Sequence, residues 1–226
     1  MRTQFHQALE EMELRLLSLG ELAGQAVERA TSSVATQDVD LAERVIREDD
    51  AIDDLYLAID GGILQLLALQ SPVAADLRLI SAILHSCLHL ERIGDQAVNI
   101  AKIQRVVHDK PGSDVMRQQI SEMGDIVVRM IRTAMEAFAK RDVELCRQLP
   151  TMDDPVDRLN RLTHLEALKL ADDPRALDWG MHMNLAARAL ERVGDNAVDI
   201  AEQVGFLVTG DFREYTDASH PVEHEG

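Results

Sequence analysis

The chain has 226 residues, of which 46% are apolar and only 3% aromatic, so its core must be built from Leu, Ile, Val, Ala and Met. This length suffices for one large domain or two small ones, and the richness in Ala, Leu, Glu and Arg, with only six prolines, favours an all-α fold. The formal net charge of −17 argues against binding to nucleic acid or to anionic lipid, because both need a cationic surface.

Hydrophobic periodicity and boundary residues predict three long helices in the first half, at 3–36, 39–69 and 72–107. Asp38 is predicted to cap the second helix, because short polar side chains accept hydrogen bonds from free helix N–H groups. Ser71 and Pro72 are predicted to begin the third, because proline fits the first turn of a helix. Gly61 and Gly62 predict a weak point within the second helix, since glycine lowers helix stability.

The second half is predicted to repeat this pattern after a loop at 108–113, with helices at 114–139, 142–170 and 174–208. Asp173 and Pro174 repeat the helix-start chemistry. We therefore expect two tandem antiparallel three-helix bundles with six long helices in all. The first bundle, the second bundle and a mobile acidic C-terminal tail are placed at 1–110, 111–210 and 211–226. The sequence leaves open whether a pseudo-twofold axis or a translation relates the two bundles.

Three features of the sequence predict a cytoplasmic protein. The N-terminal residues are charged from Arg2 onward without an apolar stretch, so no signal peptide is expected. The longest run free of charged residues, 61–75, is too short for a transmembrane helix and contains glycines and a proline. Cys87 and Cys146 lie in apolar helical patterns without metal-type spacing, which predicts buried free thiols in a reducing compartment.

The two halves carry the same eleven-residue motif. The sequence ERIGDQAVNIA occupies 91–101 and ERVGDNAVDIA occupies 191–201, with eight identical positions. The glycine within each motif predicts the close approach of a neighbouring helix. An acidic segment at 49–53 recurs at 153–157, offset by 104 rather than by 100, so the second copy has lost four residues, about one helical turn.

Acidic side chains four residues apart lie on one face of each predicted second and third helix, and antiparallel packing would bring these rows together. The rows are Glu91, Asp95 and Asn99 with Asp49 and Asp53 in the first half, and Glu191, Asp195 and Asp199 with Asp153 and Asp157 in the second. Clustered carboxylates repel one another, so such groups commonly hold a metal ion. Oxygen ligands suit Mg, Ca, Mn or oxidised Fe better than structural Zn.

A solvated surface is the alternative interpretation of these rows, with Arg92, Arg188 and Arg192 as counter-charges. Duplication of both rows in register favours a cation site, because surface charge need not be copied. His85 and His89 are four residues apart and could form a ligand pair, but their position predicts an exposed helix face instead.

The sequence contains no catalytic motif: it has no Gly-rich phosphate loop, no Gly-x-Ser-x-Gly and no Cys-x-x-Cys. A ferritin-like di-iron oxidase would need Glu-x-x-His twice, and no Glu in this chain has a His three residues later. We therefore predict that the chain is not an enzyme.

Together these strings resemble the PhoU family, the regulators of bacterial phosphate uptake. The resemblance is carried by the two motifs, by the acidic segments, by Pro72-x-x-x-Asp76-Leu-Arg78 and by the ending Val208-Thr-Gly-Asp-Phe212. It extends over nearly the whole chain, to about residue 215. The Asp-Leu-Arg string occurs only in the first half, because Ala176 and Asp178 stand at the equivalent places.

The resemblance implies two three-helix bundles, a homodimer, and divalent or trivalent metal ions (Fe, Mn, Mg, Ca or Zn) at the acidic rows. Asn99 departs from an all-acidic row and should make the first site less charged. Asp76 and Arg78 are candidate partner-binding residues.

The resemblance also implies a non-enzymatic negative regulator of the phosphate-starvation response and of phosphate uptake. Such a protein acts as an adaptor between the ATPase subunit of a Pst-type phosphate ABC transporter and a PhoR-type sensor histidine kinase. Its partners recruit it peripherally to the membrane, without direct insertion. Two alternatives stay open: a phosphate-permease accessory factor that needs no kinase, and a metal-binding or storage protein.

Overall fold

The structure is a computed structural model that describes residues 2–69 and 72–215, and the regular elements among these residues are all α-helices, with no strand. The helices in chain order are α1 Arg2–Thr36, α2 Val39–Glu48, α3 Asp50–Leu69, α4 Ala74–Val107, α5 Asp114–Lys140, α6 Val143–Leu168 and α7 Pro174–Thr209. The predicted all-α fold of two tandem three-helix bundles is confirmed, with the second predicted helix divided into α2 and α3.

Capping side chains begin most of these helices where the sequence predicts. The carboxylate of Asp38 accepts a hydrogen bond from the backbone N–H of Leu41 at 2.8 Å, and Asp173 caps α7 with Pro174 in the first turn. The prediction for α4 was wrong by two residues. That helix begins at Ala74, and its N-cap residue, Val73, has no side chain that can accept a hydrogen bond. The predicted cap Ser71 lies outside the described residues.

The predicted weak point at Gly61 and Gly62 does not interrupt the second helix, because α3 continues through both residues. A single interior glycine costs about 1 kcal/mol relative to alanine, which tertiary packing offsets. The interruption lies at Asp49 instead, between α2 and α3. The backbone angles of Asp49 are still helical, so the two segments run on with little change of direction. At the equivalent place in α6, Pro150 and Pro155 lie inside the helix.

Four helices form the centre of the molecule. Helix α1 packs against α4, α4 against α7, α7 against α5, and α5 against α1. The outer helices α2 and α3 cover α1 and α4, whereas α6 covers α5 and α7. The side chains between these helices are almost all aliphatic, and both cysteines are buried and free. No helix in the described ranges is long and apolar enough to cross a membrane.

A pseudo-twofold axis relates the two bundles, which resolves the alternative that the sequence leaves open. A Cβ at Gly20 would lie 2.6 Å from the side chain of Met135, and a Cβ at Gly124 would lie 2.7 Å from Thr31. Gly124 is the repeat equivalent of Gly20, and Met135 is the equivalent of Thr31, at the offset of 104. A contact that is repeated with its two partners exchanged is the signature of twofold symmetry.

The first described residues of the predicted C-terminal tail contact α7. Gly210 takes a left-handed conformation with φ of 80°, which ends α7 and turns the chain back. The ring of Phe212 then contacts Phe206, and the backbone N–H of Tyr215 donates a hydrogen bond to the buried carboxylate of Glu202 at 2.6 Å. Residues 216–226 lie outside the described residues.

Candidate functional site

The first acidic cluster forms where the start of α3 packs on the middle of α4. Burial raises the pKa of Asp49, and the negative charges of Asp53 and Asp95 raise it further. Burial also raises the pKa of Glu91, and the charges of Asp95 and Asp53 add to that effect. Asp49, Asp53 and Asp95 all raise the pKa of Glu91, and such an effect acts only between nearby charges. The structure therefore brings together the four acids that the sequence places on two separate helices. We call them the first cluster.

The second cluster repeats this arrangement between α6 and α7. Burial and the charges of Asp195, Asp157 and Glu191, in that order, raise the pKa of Asp153 to about 7 from its ordinary value of 3.8. Burial and the charge of Glu191 likewise raise the pKa of Asp195. We call Asp153, Asp157, Glu191 and Asp195 the second cluster. Its members occupy the repeat-equivalent positions of the first cluster.

The glycine of each motif allows a neighbouring helix to approach closely. A Cβ on Gly94 would lie 3.0 Å from Cδ1 of Ile52 and 3.6 Å from Oδ1 of Asp49, and a Cβ on Gly194 would overlap Oδ1 of Asp153. The glycine prediction from the sequence is therefore confirmed in both halves, with the added finding that a carboxylate fills the space at Gly194 and an isoleucine side chain fills it at Gly94. Each acidic segment thus packs against the motif of its own half.

The two clusters differ in burial and in the ion pair that one of their acids forms. Asp153 is 9% exposed, whereas Asp49 is only partly buried. In the second cluster, Arg188 forms an ion pair with Glu191 at 2.8 Å, so one acid has the counter-charge that the solvated-surface interpretation predicted. Leu88 stands at the equivalent place in the first cluster. Only the second cluster therefore carries a guanidinium at this position.

The donor atoms of the second cluster fit a hard cation. Oδ1 of Asp153 is buried and accepts no hydrogen bond, which leaves a full or partial negative charge without a partner in a low-dielectric site. Carboxylate oxygens are the ligands that Mg²⁺, Ca²⁺ and Mn²⁺ prefer. As the side chains stand, no three His, Cys, Asp or Glu groups in the described ranges converge closely enough to hold a metal ion. Mutual repulsion between carboxylates favours such a spread arrangement.

The duplicated architecture corresponds to a known domain that occurs twice in this chain. A sequence profile of the family described as "PhoU domain" matches residues 16–104 and again residues 120–204. The chain belongs to the PhoU family. Both matched segments contain an eleven-residue motif and the acidic segment that faces it, so each PhoU domain carries one cluster.

Similar proteins and structures agree with this assignment to the PhoU family. The protein named "Phosphate-specific transport system accessory protein PhoU homolog" of Pseudomonas putida is 34% identical over 218 residues, which cover 96% of this chain and 83% of that protein. "PhoU homolog 2" of Mycobacterium tuberculosis is 34% identical over 214 residues, covering 94% of this chain and all of that protein (100%).

Two crystal structures of PhoU proteins have the same fold as this chain. PhoU from Pseudomonas aeruginosa has a TM-score of 0.86 at 34% identity, over 92% of this chain and 100% of that one. The phosphate transport system regulatory protein PhoU from Streptococcus pneumoniae has a TM-score of 0.83 at 28% identity, over 92% of this chain and 99% of that one. The fold of the PhoU family thus extends over nearly the whole chain.

The third members of the predicted rows lie apart from the four-acid clusters. Asn99 is exposed on α4. Asp199 raises the pKa of Asp195, yet its own Oδ2 lies 3.4 Å from Nδ1 of His89, across the contact between α4 and α7. The same Nδ1 donates a hydrogen bond to Oδ1 of Asn196 at 2.8 Å. In this PhoU chain the second row therefore reaches the interface between the two domains.

His89 was placed wrongly by the sequence, which predicted an exposed helix face. Its side chain is only 13% exposed, and its contacts lie on α7, more than one hundred residues away in sequence. His85 is exposed, as predicted, and bonds to the backbone carbonyl of Ser81 in its own helix. The sequence alone does not show which helix covers this face of α4. An antiparallel pairing of α4 with α7 puts residue 89 opposite residue 199, and that pairing becomes known only with the pseudo-twofold axis.

Asp76 and Arg78 contact their own chain at the ends of α1 and α7. Oδ1 of Asp76 lies 3.7 Å from Nε2 of His6, and a Cβ at Gly210 would lie 3.5 Å from the guanidinium of Arg78. The pseudo-twofold equivalent of this second contact is the ion pair between Lys110 and Asp178. The second half lacks the Asp-Leu-Arg string because the acidic Asp178 stands where the first half has the basic Arg78, at the symmetric contact. A role of Asp76 and Arg78 in partner binding stays a prediction.

Proposed function

We propose that this PhoU-family protein is a non-enzymatic negative regulator of the phosphate-starvation response and of phosphate uptake. The observation that carries the proposal is the match to the PhoU domain in both halves, together with relatives named as accessory or regulatory proteins of phosphate transport. In this proposal the protein is a cytoplasmic adaptor between the ATPase subunit of a phosphate ABC transporter and a sensor histidine kinase, which recruit it to the membrane. It acts as a homodimer.

Deletion of the gene tests regulation separately from transport. In phosphate-rich medium, transcription of phosphate-uptake genes is expected to rise in the deletion strain and to return to its basal level when the wild-type chain is supplied. Unchanged transcription would refute the regulatory proposal. If the protein is instead a permease accessory factor that needs no kinase, the rate of phosphate uptake changes while transcription does not.

We further propose that each cluster binds a metal cation through its carboxylates. The residues that would hold it are Asp49, Asp53, Glu91 and Asp95 in the first domain, and Asp153, Asp157, Glu191 and Asp195 in the second. Asn99 and Asp199 extend the two rows as outer donors. The support is the unpartnered Oδ1 of Asp153 and an all-oxygen donor set, which suits Mg, Ca, Mn or Fe better than Zn. A bound cation would neutralise the repulsion within the cluster and fix the second helix of each domain on the third.

Metal titration followed by thermal unfolding tests this second proposal. Asp95→Ala with Asp195→Ala is expected to abolish stabilisation by Mn²⁺. The control Glu21→Ala with Asp125→Ala removes two exposed acids that are also repeat equivalents and should leave the stabilisation intact. Equal stabilisation of both double variants would contradict metal binding at the clusters. If Asp95→Ala with Asp195→Ala still regulates the phosphate-uptake genes, the metal sites are not needed for regulation. If the protein instead stores metal, the purified wild-type chain must contain bound metal.

A further inference from the structure

The chain turns back after α7, and the last described residues lie against the second domain. Gly210 ends the helix in a left-handed conformation, which reverses the direction of the chain. The ring of Phe212 then contacts Phe206 of α7 edge to face, with the two ring centroids 6.4 Å apart. We call residues 211–215 the C-terminal segment. Neither regulation nor metal binding as proposed above makes use of it.

Tyr215 anchors the C-terminal segment through both its backbone and its side chain. Its backbone N–H donates a hydrogen bond to Oε1 of Glu202 at 2.6 Å, and Glu202 is only 5% exposed. Its phenol oxygen lies above Gly205, where a Cβ would come within 2.9 Å of that oxygen. The aromatic ring packs against the hydrophobic core. Gly205 therefore leaves a space on α7 that the side chain of Tyr215 fills.

The first domain closes the equivalent surface without such a segment. At the offset of 100, Lys102 stands at the place of Glu202, and its side chain is exposed. Arg105 stands at the place of Gly205. The guanidinium of Arg105 forms an ion pair with Glu43 of α2 at 3.4 Å. The two domains have thus diverged here, and only the second has a buried acid and a glycine where the C-terminal segment lies.

The carboxylate of Glu202 is satisfied whether the C-terminal segment is attached or detached. Burial raises the pKa of Glu202, and the hydrogen bond from the backbone of Tyr215 lowers it. When the segment leaves, water replaces this donor, just as water solvates the exposed Lys102 in the first domain. Detachment therefore avoids a buried charge without a partner, which would be costly.

The C-terminal segment has few buried contacts that hold it in place. Residues 211–214 are exposed, and Tyr215 is the member that is partly buried. Segments with few buried apolar contacts open locally while the rest of a protein stays folded. Gly210, with φ of 80°, provides a hinge at the start of the segment, because glycine adopts many backbone conformations. We therefore expect the segment to open before the helices on which it lies.

We propose that the C-terminal segment is a latch, which detaches from α7 while the helices stay folded and thereby controls access to the surface around Glu202, Gly205 and Cys146. Cys146 of α6 is fully buried next to this surface. Burial and the nearby thiol of Cys146 raise the pKa of Tyr215, which places the phenol close to that thiol. The inference does not rest on the regulatory role or on metal binding.

Alkylation of the purified full chain by iodoacetamide, with each cysteine quantified by mass spectrometry, tests the latch. Tyr215→Ala should raise the rate at Cys146 about tenfold or more, because it removes the side chain that fills the space at Gly205. The matched control is Arg213→Ala, an exposed residue of the same segment, which should leave the rate unchanged. The rate at Cys87, in the first domain, should be the same in all variants.

Gly205→Leu and low concentrations of urea provide two further measurements. Gly205→Leu places a side chain where the phenol lies, so it should accelerate alkylation of Cys146 as Tyr215→Ala does, with circular dichroism to verify the helices. A local opening exposes little surface, so urea below the unfolding transition should leave the wild-type rate at Cys146 unchanged. That rate should also exceed the rate at Cys87.

Four results would overturn the proposal. An unchanged rate at Cys146 in both Tyr215→Ala and Gly205→Leu would show that the segment does not cover this surface. Equal acceleration by Arg213→Ala would remove the special role of Tyr215. Equal acceleration at Cys87 would assign the effect to a general loss of stability. A wild-type rate at Cys146 that rises with urea as steeply as the rate at Cys87 would show that the segment leaves only when the protein unfolds.

Discussion

Asp153→Asn should make the metal-free protein more stable, and the gain should be larger above neutral pH than in mild acid. Burial and four neighbouring acids raise the pKa of Asp153 to about 7 in the folded chain, from an ordinary value of 3.8. Between these values the folded state binds a proton that the unfolded state has lost. The free energy of unfolding therefore falls as the pH rises from about 4 to about 7, and it changes no further above that range.

The size of the effect follows from the same difference in pKa. About three pKa units correspond to about 4 kcal/mol, at about 1.4 kcal/mol for each unit. Water entry and movement of the neighbouring carboxylates reduce this value, so we expect a gain of about 2–4 kcal/mol for the variant in alkaline solution. Asn keeps the shape of the side chain but carries no charge, which removes the repulsion with Asp195 and Asp157.

Urea unfolding followed by circular dichroism, with a chelator present, measures the effect at about pH 5 and about pH 8.5. The gain of the variant should be about two to three times larger at the higher pH, because at pH 5 only about one of the three pKa units has been crossed. Asp49→Asn in the first cluster is the matched control, and it should show a smaller dependence on pH because Asp49 is more exposed. A gain at Asp153 that is the same at both pH values would refute burial of the charged form as the cause.

Substitutions at three glycines test packing. Gly194→Ala, whose Cβ would overlap the carboxylate of Asp153, should lower Mn²⁺ affinity about tenfold in calorimetric titration. An unchanged affinity would contradict the placement of that carboxylate. Gly61→Ala, whose Cβ meets nothing, should raise the melting temperature by about 2–4 °C, and a lower melting temperature would contradict the open surface. Gly124→Val should cost about 1–3 kcal/mol of unfolding free energy by crowding Thr31, and Thr31→Ala should restore part of it. Additive effects of these last two changes would contradict their contact.

The sequence predicts the fold class because its signals are local. Asp38 and Asp173 cap helices by bonding to N–H groups two or three residues away, and the aliphatic periodicity reports one buried face for each helix. The duplicated acids were also predictable as neighbours, because the same spacing recurs on two helices that a short connection makes antiparallel. The structure does bring the four acids of each cluster together.

The features that the sequence did not predict depend on contacts between distant segments. The pseudo-twofold axis, and with it the contact of His89 with Asp199, follows from the pairing of α4 with α7. The interruption at Asp49 has no local signal, since no proline or glycine stands beside it. Pro72 predicts the start of α4 only to within two residues. The return of Tyr215 to the buried Glu202 requires knowledge of where α7 ends in space.

Affinity purification of the tagged chain from phosphate-replete cells, after mild crosslinking, tests the adaptor role most directly. The account predicts that one preparation contains both the ATPase subunit of a phosphate transporter and a sensor histidine kinase, and that both are depleted after phosphate starvation. Recovery of the ATPase subunit without a kinase in replete cells would contradict the adaptor and favour a permease accessory factor. Recovery of neither would contradict the central claim.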